Sequence, residues 1–397
     1  MSEKINNSDY TYICEYSRTP IGAFQGSLKL IPATKLGSIV IEDLLSNINK
    51  KNINEVIMGN VLSAGLGQAP ARQSALGAGL LNSTECMTIN KVCGSGLKAV
   101  MLADQSIKSN NSNVVIAGGM ENMSLAPHYI NHSRNGMMFG DNKIIDSILK
   151  DGLWDPYNNF SMGNCGEVLS KEKKYTKDMQ DEFAVESYRR SNDALEQGLF
   201  KDEVVGVKIK NKKEEFLFNK DEEPLRFNED KLRKLRPAFN KDGTITAGNA
   251  SSLSDGAAAV LVCSNNFVIK NKIQPIAKIL GHVSFAMDPL YFTKAPIYAI
   301  KKLLKNINLD ISSIDLFEIN EAFSCVVMAA IDELKISHDK VNVNGGAVSM
   351  GHPIGASGSR ILVTLLNALK SRQLKYGIAC LCIGGGEASA MLVEICD

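Results

Sequence analysis

The sequence predicts an α/β protein built from two similar halves, and three observations carry that expectation. The first is a repeat in plan. "CGSGLKAVMLADQSI" followed by "NVVIAGGMENMS" gives a glycine turn, a helix, an apolar strand and a glycine pair. The same order returns in "GASGSRILVTLLNAL" followed by "GIACLCIGGGEASAM", which points to a duplicated unit. The second is that "VVIAGG" and "IACLCIGGG" are apolar without alternation, as strands buried on both faces are. The third is length: 397 residues exceed what one simple core holds and suit two or three domains.

Taken in order, "EVIMGNVL" reads as a strand of the first half. In "INKVCGSGLKAVM", Ile89 to Val92 read as a strand end and the two glycines as a tight turn. Leu97, Val100, Met101, Gln105 and Ile107 then form one apolar side of a helix. Cys93 therefore stands at a helix mouth, where unpaired N–H groups and the dipole favour a thiolate over the usual thiol of pKa about 8.5. From Met123 to Ser251 the chain is more polar, holds the single tryptophan, Trp154, and carries helical segments such as "KDMQDEFAVESYRRSNDALEQG". This stretch reads as an insertion over one end of the sheets, of the kind that supplies substrate contacts. The expected division is residues 1–122 with 252–273 as an N-terminal half, 123–251 as an inserted loop domain, and 274–397 as a C-terminal half. A helix following "DISSIDLFEINEAF" completes the plan.

A hydrophobic fraction of 44%, a charged fraction of 22% and 32 glycines describe a turn-rich globular chain and exclude disorder. A formal net charge of +1 gives no general attraction to nucleic acid or to an anionic membrane. Runs such as "KEKK" (Lys171 to Lys174) and "KNKKEE" (Lys210 to Glu215) are expected to be solvated. The opening "MSEKINNSDYTYIC" shows neither an apolar signal core nor an Arg-rich amphipathic pattern. The expected location is the cytoplasm, or the mitochondrial matrix if a transit peptide has been removed. Nine cysteines in no framework spacing suit a reducing compartment. Cys380 and Cys382 are expected on opposite faces of one strand, a poor metal pair.

Three further glycine-rich strand ends carry chemistry-bearing groups. "NGGAVSMGHPIGASGSR" sets His352 before Pro353, where a helix cannot simply run on. "LCIGGGEASA" sets Cys382 before three glycines, and "EINEAF" sets Asn320 at a strand-to-helix junction. Singly, each has a plain reading: a satisfied histidine, an inert buried thiol, a helix cap. Together with Cys93 they make a thiol nucleophile, a second thiol for proton transfer, a base and a polar anchor. Of the five histidines, His128, His132, His282 and His338 lack comparable surroundings, leaving His352.

The motifs "NKVCGSGLKA", "AGGMENMS", "NEAF", "NVNGGAVSMGHPIGASGSR" and "CIGGGEASAM" resemble those of the thiolase family, in order, from about Tyr12 to Val393. Within it, "IPATKLGS", "GQAPARQSALGAGL" and "YNNFSMGNCGE" look most like the tetrameric, mitochondrial-type acetyl-CoA acetyltransferases. The resemblance implies a fold of two duplicated α/β halves stacked in αβαβα layers with an inserted loop domain. It also implies reversible Claisen condensation of two acetyl-CoA to acetoacetyl-CoA plus CoA, by a ping-pong acyl-cysteine mechanism. Cys93 is similar to the acylated cysteine, and His352 to the histidine that takes its proton. Cys382 resembles the acid/base acting on the second acetyl-CoA, and Asn320 the asparagine that holds a water in one oxyanion hole. The N–H groups of Cys93 and Gly384 would form the other hole, because an enolate and a tetrahedral oxyanion develop in different steps.

Positions similar to the family's coenzyme A contacts are Leu153, Met162, Tyr188, Arg226, Lys231, Phe239, Ala247, Ser251, Ala322 and Phe323. One departure is Ser161, where the family usually has histidine before its Met-Gly pair. Phe292 matches a phenylalanine that accompanies acceptance of 2-methyl-branched substrates. Tyr188, Ala247, Gly248, Ala250 and Val348 fall where the mitochondrial-type enzymes bind potassium. No other cofactor is implied, and the expected assembly is a homotetramer, a dimer of dimers. The competing readings are a degradative 3-ketoacyl-CoA thiolase of broader chain length, a condensing enzyme using an acyl carrier protein, a non-catalytic acyl-CoA binder and a cysteine hydrolase. The carrier-protein enzymes typically have a second histidine where this chain has Asn320. A non-catalytic binder is expected to lose catalytic groups, and a condensing acyl-enzyme must exclude water.

Overall fold

The computed structural model describes residues 10–46, 48–210 and 215–396. Residues 1–9 of the opening segment and 211–214 of the second charged run lie outside them. The first half runs β1 (Thr11–Arg18), α1 (Ala33–Leu44), β2 (Glu55–Gly59), α2 (Pro70–Gly77), β3 (Glu85–Ile89), α3 (Ser95–Lys108) and β4 (Val114–Asn122). A long excursion follows, holding α4 (Met162–Lys173) and α5 (Lys177–Glu196), before β5 (Ser254–Ser264) returns to the sheet. The second half runs β6 (Ala277–Ala286), α6 (Ala295–Ile307), β7 (Leu316–Ile319), α7 (Ser324–Leu334), α8 (Ile354–Ser371), β8 (Tyr376–Ile383) and β9 (Glu387–Ile395).

The duplication is visible in the pairing. The first half has strand order β1-β5-β4-β2-β3 and the second β6-β9-β8-β7. In each, the first two junctions are antiparallel and the next is parallel. Where β3 stands in the first half, the second has a single parallel bridge from Phe317 to Val341. The two runs meet along one short seam, Thr11–Ile13 of β1 against Ala277–Ile279 of β6.

Three cores stack with these sheets, one between them and one on each outer face. Leu36, Val40 and Ile41 of α1 pack on Val56, Ile116 and Leu261. Leu97, Val100 and Met101 of α3 join Ile361, Leu362 and Leu365 of α8 between the two sheets. Ile300 and Leu303 of α6 and Val326 of α7 cover Ile378, Ala390 and Leu392. The layers are therefore αβαβα, and every residue of β4 is buried, which is why its sequence does not alternate. Two expectations are corrected. Residues two apart share a strand face, so Cys380 and Cys382 lie together in the outer core of the second half. Gln105 is exposed, because it lies on the flank of α3 that neither sheet covers.

The middle layer closes backbone to backbone. A Cβ at Gly96 would lie 2.7 Å from the Ser359 nitrogen, and one at Gly358 would lie 2.5 Å from the Leu97 nitrogen. The excursion grips both halves: Cys165, Leu169 and Phe183 enter the core of the second, while Val207 and Phe218 enter that of the first. At its root, fully buried Arg18 pairs with Glu203 at 2.6 Å and Asp221 at 2.7 Å. Satisfying all three groups keeps the burial of these charges affordable.

Gly358→Val should destabilise the protein by at least about 1–3 kcal/mol, since the atom it strikes is backbone and cannot rotate away. A urea midpoint equal to that of the parent chain would show that α3 and α8 have slack at this crossing.

Candidate active site

Cys93 sits in the turn from β3 to α3. Val92, not a glycine, takes the left-handed conformation there, at φ 46°. For a β-branched residue this costs about 1–3 kcal/mol. Local bonds hold it: the Asn90 side chain accepts from the Val92 N–H at 2.9 Å. Ser95 Oγ accepts from the Lys91 N–H at 2.8 Å and donates to the Val92 carbonyl at 2.7 Å. The glycines serve close approach instead. A Cβ at Gly94 would lie 2.3 Å from Ile383 Cδ1, so the turn is pressed against the end of β8.

The helix-mouth expectation of an easily formed thiolate is overturned. Burial pushes the Cys93 thiol up to about 11; the N–H groups of Gly384 and of Cys93 itself pull it down by less, and Glu121 adds to the rise. The dipole of α3 is outweighed by desolvation. At rest Cys93 is a neutral thiol with two N–H donors gathered at its sulfur.

His352 follows Gly351, whose φ of 106° and contact with Ser254 leave no room for a side chain. Its N–H donates to the Ser252 carbonyl at 3.0 Å. Nδ1 lies 2.5 Å from Ser357 Oγ, whose own hydrogen goes to the Pro353 carbonyl at 2.9 Å. Nδ1 therefore carries the proton and donates, leaving Nε2 with a lone pair. Nε2 is buried and has no partner among the described residues. Burial, with the Arg360 charge, lowers the imidazole to about 3, so it is neutral at working pH.

Cys382, fully buried near the end of β8, is held well above the ordinary thiol range by burial, with Cys93 and Cys380 adding to the effect. The chain then turns through Gly385 and Gly386, both at positive φ. The Asn320 N–H donates to the Cys380 carbonyl at 3.0 Å, and neither amide atom of its buried side chain has a partner among the described residues.

Two carboxylates inside the quoted motifs were not singled out from sequence. Glu121 accepts from Asn60 Nδ2 and from the N–H groups of Val61, Leu62 and Gly355. Burial raises it to about 7 against those donors. Glu321 accepts from Asn342, Ser187 and the Val348 N–H. The signal was present, an acid within an otherwise apolar or small-residue motif, but only coordinates show what each one holds.

Cys93, His352 and Gly384 open on one cavity of about 350 Å³. Leu153, Met162, Phe239, Ala247, Ser251, Phe292, Ala322 and Phe323 line it, as do Met123, Leu149, Leu253 and Ile354, which sequence reasoning missed. Ser161 is also on the wall and contacts Asn164 Oδ1 at 3.0 Å. Asn320 and Cys382 are buried outside that lining. Three expected contacts lie away from it: Tyr188 stacks on Phe227 at 4.5 Å, Arg226 pairs with Glu222, and Lys231 is exposed on a short helix. Of the potassium positions, Tyr188 and Val348 share a small cluster with Leu232, against which Gly248 also rests. Ala247 lines the cavity, and Ala250 bridges to Phe323.

Below its pKa a thiol gains about tenfold in thiolate per pH unit. Iodoacetamide labelling of Cys93 in the resting protein should therefore climb about tenfold from pH 8 to 9 and again to pH 10. A rate already level at pH 7, followed by peptide mass spectrometry, would mean that the thiolate is preformed.

Comparison with known proteins agrees with this architecture. The family model described as thiolase, N-terminal domain, matches residues 11–266, and that of the thiolase C-terminal domain matches residues 273–395. Acetyl-CoA acetyltransferase 2 of Arabidopsis thaliana is 49% identical over 399 residues, covering 99% of each chain. The mitochondrial acetyl-CoA acetyltransferase of Bos taurus is 49% identical over 381 residues, 95% of this chain and 89% of that one. Among solved structures, Acat5 thiolase from Ascaris suum in complex with coenzyme A superposes with a TM-score of 0.93 at 43% identity, over 98% of this chain and 100% of that one. The Bacillus anthracis acetyl-CoA acetyltransferase gives 0.95 at 37% identity, covering 98% and 99%. Both halves, the order of the motifs and the fold agree: this chain belongs to the thiolase family.

Proposed function

We propose that the chain is an acetyl-CoA C-acetyltransferase, joining two acetyl-CoA into acetoacetyl-CoA plus CoA, and reversing that reaction, through an acetyl group carried on Cys93. The observation that carries this reading is one apolar cavity onto which the Cys93 thiol and a neutral His352 open, Cys382 lying close enough to Cys93 for their charges to interact. The names of the relatives support the same substrates.

The chemistry follows from the protonation states. Cys93 Sγ attacks the thioester carbonyl as His352 Nε2 takes the thiol proton, and the N–H groups of Cys93 and Gly384 receive the oxyanion. The carbon–sulfur bond to CoA breaks, and the departing thiolate takes the proton back from His352. A second acetyl-CoA then loses an α-proton to Cys382, its enolate oxygen facing His352 and Asn320. The enolate carbon attacks acetyl-Cys93, the Cys93 thiolate leaves, and acetoacetyl-CoA is formed. Burial keeps Cys382 protonated at rest, so His352, neutral again once CoA has left with its proton, takes the Cys382 proton before that step and gives it to the Cys93 thiolate afterwards, which restores both thiols.

The apolar wall suits the pantetheine arm, and exposed Arg226 and Lys231 suit the phosphates at its far end. The Ascaris suum neighbour is in complex with coenzyme A, which supports coenzyme A as substrate and product here. Ser161 takes a polar place on that wall without the reach of an imidazole. Potassium would be held by backbone carbonyls of Tyr188, Gly248 and Val348, residues that meet around Leu232, with Ala247 and Ala250 on the cavity wall beside them. The homotetramer is supported by the hairpin pairing His128–Ile130 with Ile144–Asp146, between which Met137, Met138 and Phe139 stand exposed. Nine cysteines in no framework spacing suit the cytoplasm or the mitochondrial matrix. Residues 1–122 with 252–273, 123–251 and 274–397 remain the domain division we favour.

The decisive experiment separates the half-reactions. Cys382→Ser should still exchange labelled CoA into acetyl-CoA while condensation falls about 10²–10⁴-fold, and Cys93→Ser should do neither. Equal loss of both activities in folded Cys382→Ser would remove the division of labour. For the subtype, acetoacetyl-CoA and 2-methylacetoacetyl-CoA thiolysis should both proceed, faster in potassium than in sodium at equal ionic strength. Equal rates in the two salts, with no turnover of the branched substrate, would contradict it.

A further inference from the structure

We infer that Glu121 is a positioning residue for His352, acting through the first turn of α8. This inference rests on His352 being the base that serves Cys93. Glu121 stands near the end of β4 and is fully buried. Its Oε1 accepts from Asn60 Nδ2 at 2.8 Å and the Leu62 N–H at 3.2 Å. Its Oε2 accepts from the Val61 N–H at 3.0 Å and the Gly355 N–H at 2.9 Å. Three of these donors belong to the loop after β2. The fourth belongs to the start of α8, three residues beyond His352.

The join tolerates no added atom. A Cβ at Gly355 would fall 2.7 Å from Glu121 Oε2 and 3.0 Å from the Asn60 Cα, and a Cβ at Gly119 would fall 2.0 Å from the Gly355 carbonyl oxygen. Four donors, and no acceptor among the described residues, converge on the two oxygens, the arrangement that suits the ionised carboxylate. It fixes the N-terminal end of α8 against the first half through the Gly355 N–H. Two residues further along, Ser357 binds Nδ1 of His352 and so decides which ring nitrogen is basic. Moving the Gly355 turn moves Ser357, and with it both the tautomer and the aim of Nε2. Replacing the carboxylate by an amide sets an N–H₂ group against two of the four donors, whichever way the amide turns.

The test is exchange of labelled CoA into acetyl-CoA, the half-reaction that needs only Cys93 and His352, measured for Glu121→Gln, Ser357→Ala, both together, and His352→Ala. Each single change should lower kcat about 10- to 100-fold, the scale of a displaced catalytic group, with KM for acetyl-CoA within about twofold. Because both act through one imidazole, the double variant should be no worse than the poorer single one by more than about twofold. Exchange by Glu121→Gln at the parent rate, a change confined to KM, or losses that multiply in the double variant would each overturn the inference. Parent-like exchange by His352→Ala would instead remove the underlying reading of the base. If Glu121→Gln does not fold, Asn60→Ala removes a single donor and should slow exchange several-fold; an unchanged rate there would equally overturn the inference.

Discussion

The site exists because two helices of the middle layer touch backbone to backbone. Gly96 and Gly358 allow α3 and α8 to cross with no side chain between them, and each helix begins beside a residue that lines the cavity. The turn into α3 presents Cys93, and the turn into α8 presents His352. A methyl group at the crossing would push those two starts apart, and reaction geometry is lost over about an ångström. The sheets, the outer helices and the insertion hold this crossing in place from either side.

What the crossing brings together is a set of groups that water has left. The Cys93 thiol is raised to about 11 and His352 is lowered to about 3, so the pair rests neutral rather than as thiolate and imidazolium. A neutral pair needs no counter-charge in an apolar cavity, and in the reaction we propose charge appears only when a thioester carbonyl arrives to receive it. The donors for that charge, the N–H groups of Cys93 and Gly384, belong to the backbone and are already in place.

Much of this was legible in residues. Repeated order gave the two halves, unbroken apolar runs gave the doubly buried strands, and the glycine-flanked motifs gave Cys93 and His352, which open on one cavity, and Cys382 beside Cys93. What escaped had physical causes. The helix mouth suggested an acidic thiol because a sequence displays dipoles and hides desolvation. The turn at Cys93 was assigned to its glycines, whereas Val92 carries the strain and the glycines make room for Ile383 and Ser359. Cys380 and Cys382 were placed on opposite faces, against the two-residue period of a strand. The wall contributed by Met123, Leu149 and Leu253 was missed because an apolar residue in a loop looks alike whether it packs in a core or lines a cavity. The carboxylates Glu121 and Glu321 were missed because their partners are mostly backbone N–H groups, which every residue has.

The strand seam between the halves is only three residue pairs long, while the helix layer between them is continuous. A half-length chain with this plan would carry one inner helix, apolar toward a sheet and a partner it did not possess, and would expose that face to water. Meeting its own copy across the glycine-bearing face would cover it, as the two halves of this chain cover each other. Holding both halves in one chain lets them differ, one with a cysteine at its helix entrance and the other with a histidine, which a symmetric pair could never hold singly.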